Sequence, residues 1–68
     1  MNSSNSFWNL KEKLLSKSSF ANKYWNKLTD SQRVDALVAF KSSMFKGFET
    51  AIKDAEGKIK SGVSWKLK

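Results

Sequence analysis

An all-α fold is what this 68-residue sequence predicts. Apolar residues recur at three- and four-residue steps over most of the chain, Thr29-Asp30-Ser31-Gln32 has the form of a capping box, and no proline interrupts the pattern. The expected architecture is a small helical hairpin or three-helix mini-bundle. One long amphipathic helix, about residues 30–56, would pack antiparallel to one bent or two short N-terminal helices and be followed by a basic tail.

Residues 1–5 read as a flexible polar leader, residues 6–56 as the helical domain and residues 57–68 as a basic, Trp-containing tail. Ser6 can cap a first helix, in which Phe7, Leu10 and Leu14 share a face that Trp8 and Leu15 widen. Ser16-Lys17-Ser18-Ser19 forms helices poorly, because serine hydroxyls compete for backbone hydrogen bonds. A break near Ser18 is therefore expected, with Ser19 capping a short second helix that aligns Phe20, Tyr24 and Leu28. A single helix across residues 6–28 is the alternative, since only Lys17 interrupts its stripe.

In the third segment Thr29 accepts from the Gln32 amide, Gln32 reaches back, and Asp30 complements the positive end of the helix dipole. Val34, Leu37, Val38, Phe40, Met44, Phe45, Phe48, Ala51, Ile52 and Ala55 then recur at helical spacing. At about 100° per residue they cover roughly 160° of the circumference, a wide core-facing arc. Glu49 and Lys53 are oriented for an ion pair across one turn, and Gly57 suits the residue just beyond a helix end. Past Gly57 the period shortens, with Val63, Trp65 and Leu67 alternating with polar residues. A lone strand has no partner, so a tail that orders on contact is expected.

A chain of this length buries only about 60% of its unfolded surface, and it has neither cysteine nor histidine to supply a disulfide or a metal ligand set. Support from a homodimer or an obligate partner complex is the expectation. The same inventory argues against catalysis: no imidazole base, no thiol nucleophile, no glycine-rich phosphate cradle, and eleven serines without a base to activate them. No enzyme activity and no cofactor are expected. The longest apolar run, Ala36 to Phe40, is far short of the roughly 20 residues that span a bilayer, so a soluble, cytoplasmic protein is expected.

Net charge is +7, and every basic residue but Arg33 is a lysine. Lysine attracts polyanions at long range but lacks the bidentate fork that reads base edges. By segment, residues 1–28 carry +4, residues 29–56 carry −1 and residues 57–68 carry +4. Lys13 with Lys17, and Lys23 with Lys27, are like-charged pairs one turn apart, which an isolated helix disfavours. The candidate partner-binding residues are Lys13, Lys17, Lys23, Trp25, Lys27, Lys41, Lys58, Lys60, Trp65 and Lys66. Lys41 is included because it interrupts the apolar arc, and Trp65 because it stands among lysines with few apolar neighbours. The expected role is a non-enzymatic adaptor or inhibitor that docks on an acidic surface of a larger protein. A low-specificity nucleic-acid binder and a membrane-surface or membrane-active amphipathic protein are the alternatives.

Overall fold

The computed structural model describes residues 3–64, with side chains described from Asn9 onward. These residues form four α-helices: α1 Ser3–Lys17, α2 Ser19–Tyr24, α3 Asp30–Ser43 and α4 Phe48–Val63. A 3-10 turn extends α2 over Trp25–Lys27 and another extends α3 over Met44–Lys46. The all-α class is as expected. The hairpin is elsewhere.

The segment read as one long helix is two. Gly47 stands between them at φ 126° and ψ 151°, a conformation open essentially to glycine alone. Its amide donates to the Met44 carbonyl and its own carbonyl accepts from Ala51, so one residue closes the 3-10 turn and opens α4. α3 and α4 then run back along each other. Their register is marked by Gln32 beside Gly62 near one end and Ser43 beside Asp54 near the other.

Gly57, expected to end the long helix, lies inside α4, which continues to Val63. Ile59 and Val63 are fully buried, so residues 57–63 are structural helix rather than tail. Their apolar positions continue the four-residue steps of Ala51 and Ala55, which outweighs the two-residue rhythm seen from Val63 onward. The start of the chain differs too: α1 already includes residues 3–5 of the expected leader.

The break near Ser18 is present, and the cap of α2 falls one residue earlier than expected. Ser18 has extended backbone and is itself the N-cap of α2; its hydroxyl accepts from the Ala21 amide at 3.0 Å and donates to the Glu56 carboxylate. One buried serine thus caps α2 and ties it to α4. The capping box at α3 forms as read, with Gln32 N–H to Thr29 Oγ1 at 3.1 Å and Thr29 N–H to Gln32 Oε1 at 2.9 Å. Gln32 also donates from Nε2 to the Gly62 carbonyl at 3.2 Å, satisfying one of the carbonyls that the end of α4 leaves unpaired.

The core comprises Leu14 from α1, Ala21, Trp25 and Leu28 from the α2 segment, Ala36, Leu37 and Phe40 from α3, and Ala51, Ala55, Ile59 and Val63 from α4. Small residues let α3 and α4 approach closely. Phe40, fully buried, meets Phe48 edge-to-face at 5.7 Å between ring centres. The face that α3 buries keeps Leu37 and Phe40 of the predicted arc but is rotated from the rest of it. It buries Ala36 and Ser43, while Val34, Val38 and Phe45 stay exposed, Phe45 at 83%. Lys41 is exposed as well, and no ion pair joins Glu49 to Lys53 among the described residues.

Two phenylalanines five residues apart should therefore behave oppositely. Phe40→Ala is expected to cost about 3–5 kcal/mol in denaturant unfolding, enough to unfold a domain of this size, whereas Phe45→Ala should stay within about 0.5 kcal/mol of the parent. The double role of Gln32 gives a second expectation. Gln32→Glu keeps an acceptor for the Thr29 amide but sets an anionic oxygen against the Gly62 carbonyl. It should lower stability by about 1–2 kcal/mol, although Glu serves an isolated capping box equally well. Unchanged stability would show that Gln32 acts only as a local cap.

Candidate docking surface

The lysines singled out from the sequence fall into two groups. Lys13 and Lys17 are exposed on the last two turns of α1, and Lys23 and Lys27 are exposed on α2 and the 3-10 turn that extends it. The only acidic residue in this stretch is Glu12. Lys13, Lys17 and Lys23 make no ion pair among the described residues, although the Lys23 ammonium lies 5.4 Å from the centre of the Tyr24 ring. The extended backbone at Ser18 turns α2 away from α1, so these lysines project from two short elements rather than one stripe.

On α4 the lysines stand among acids. Lys58 shares one shallow groove with Lys53 and Asp54, and another with Asp35 and Gln32. Lys60 borders a groove between α2 and α4 with Phe20, Glu56 and Gly57. Residues 11–27 carry five lysines and, of their own, only Glu12, while the Glu56 carboxylate of α4 is brought to Ser18. Lys41 stands apart from both groups on the outer side of α3.

Trp25, at the edge of its apolar arc in the sequence, is 5% exposed and packed into the core, with the Arg33 guanidinium 5.8 Å from its ring centre. Arg33 also donates from Nε to the Trp25 carbonyl at 3.1 Å and faces Asp30 at 3.5 Å. Its indole is a core side chain held by the chain's single arginine. Trp65 and Lys66 lie outside the described residues.

One surface feature escaped the sequence reading. Val34 (42% exposed) and Val38 (49%) on α3 and Phe45 (83%) on the 3-10 turn beyond it are exposed apolar side chains, with Lys41 between them in sequence and the Lys46 ammonium 5.7 Å from the Phe45 ring centre. A signal was present: Val34, Ala36, Leu37, Val38, Ala39 and Phe40 point in nearly every direction around a helix, so one buried face cannot take them all.

Among the described residues no three acidic side chains gather to hold a cation, and no helix is long and apolar enough to cross a membrane. Buried side-chain polar atoms among them all have hydrogen-bond partners, so no orphaned group points to a bound ligand. The arrangement can attract an anionic surface and offer apolar contacts. No protein family, curated protein or solved structure matches this chain.

Proposed function

We propose that this chain is a non-catalytic helical module, of adaptor or inhibitor type, that docks on an acidic surface of a larger protein. The observation that carries the reading is the set of exposed lysines on α1 and α2, Lys13, Lys17 and Lys23, in a stretch whose only acid of its own is Glu12. Lysines held on short helices steer encounter with an acidic face at long range. Arg33 favours a protein over a nucleic acid as the partner. It is the one side chain able to grip a phosphate bidentately, and its guanidinium is already engaged by Trp25 and Asp30.

The test is capture from native lysate on the immobilised chain, with and without nuclease, beside a Lys13→Glu, Lys17→Glu, Lys23→Glu variant. All three positions are exposed, so the variant should keep the helical circular dichroism of the parent. The expected result is a defined acidic protein that survives nuclease and binds the variant with association slowed at least about tenfold at low salt. Loss of all bound material on nuclease treatment would assign the surface to nucleic acid. Equal capture by parent and variant would remove the lysines from the interface.

A further inference from the structure

The apolar rhythm of the sequence ignores the turn at Gly47. Leu37, Met44, Phe48, Ala51, Ala55 and Ile59 continue in steps of three and four through residues 44–48, with Lys41 the one polar member of the series. A single helix over residues 30–63 would thus keep one apolar stripe from end to end. Only Gly47 stands outside helical or 3-10 backbone between α3 and α4, in a conformation that other L-residues avoid. A side chain at that position would meet nothing within 4 Å, so the barrier to substitution is the backbone alone. Beside the turn, Phe45 is the most exposed large apolar side chain of the described residues.

From this juxtaposition of a one-residue turn, an uninterrupted helical phase and an uncovered Phe45, we infer that a second copy of the chain exchanges α4 with the first. Straightening at Gly47 joins α3 and α4 into one helix, and each copy's α4 then packs on the other's α3. The contacts of the closed hairpin are re-formed between chains, including Phe40 on Phe48 and Ser43 on Asp54, so their energy is retained. The straightened segments cross at the twofold axis near Gly47, two residues from Phe45. A one-residue connection between two helices of continuous phase is the kind of hinge at which such exchange occurs. The inference does not depend on the lysine surface.

Cysteine substitution tests it cleanly, because the chain has no cysteine of its own. Ser43→Cys with Asp54→Cys places thiols at a contact made within one chain in the closed hairpin and between chains after exchange. Gly47→Ala, which disfavours the positive φ, is added to this pair. The expected result is a cooperatively folded dimer by light scattering, with a dissociation constant at least about tenfold below that of the parent, and a disulfide-linked dimer on non-reducing gels. A folded monomer would overturn the inference, as would a dimer whose disulfides stay within each chain. Should Gly47→Ala fail to fold, the Ser43→Cys, Asp54→Cys chain with Gly47 intact is refolded at millimolar and at micromolar concentration. Interchain disulfides that rise with concentration support exchange; intrachain disulfides alone at both concentrations overturn it.

Discussion

The backbone of Gly47 is the constraint on which this structure depends. With φ at 126° it reverses the chain in one residue, and everything that α3 and α4 bury follows from that reversal. The turn leaves no slack, so the register of the hairpin is set where it begins. From there α3 must present Ala36, Leu37, Phe40 and Ser43 to α4, whichever of its apolar residues are larger. Val34, Val38 and Phe45 are exposed for this reason and not through any polarity of their own. The turn is also a point of weakness, because the conformation that makes the hairpin is one that almost any other residue would leave.

Polar side chains with two roles hold the remaining elements. Ser18 caps α2 and reaches Glu56 on α4; Gln32 completes the capping box of α3 and reaches Gly62 at the end of α4. In each case a residue chosen for a local helix end also fixes a tertiary neighbour. Closeness makes the second contact possible: a Cβ at Gly62 would lie only 3.1 Å from the Gln32 side chain. In a chain with no disulfide and a small core, such shared hydrogen bonds are an economical source of specificity, since each satisfies groups that would otherwise face an apolar interior. The segment carrying the lysines is thereby positioned against α4 without drawing on its charged residues.

Much of this was legible in the sequence, and the failures have physical causes. The capping box at Thr29 and the break near Ser18 rest on short-range chemistry, and both are present. Gly47 was passed over because the apolar phase continues through it, and Gly57, followed by a change of rhythm, looked the better stop. Inside α4, Gly57 makes no close contact that requires a glycine, so its identity carried no boundary information. The burial of Ile59 and Val63 was hidden by the lysines around them. At the surface, whether each lysine stands near an acid depends on which helices adjoin, and Lys41, placed inside the apolar arc by its spacing, is exposed. Lys58 beside Asp35 and Asp54 could not be separated from Lys13 or Lys23 without the hairpin. The burial of Trp25 depends on the same information, since its partner Arg33 belongs to the next helix.

The most direct test of the central claim is the unfolding free energy of a chemically synthesised chain carrying Gly47→D-alanine. A D-residue favours positive φ and loses less conformational freedom on folding than glycine. If the reversal at Gly47 organises the fold, the D-alanine chain should be more stable than a chain carrying Gly47→Ala by at least about 1 kcal/mol, with the helix content of the parent. Equal stability of the two alanine chains would contradict the account, because it would mean that residue 47 does not hold the positive-φ backbone from which the hairpin is built.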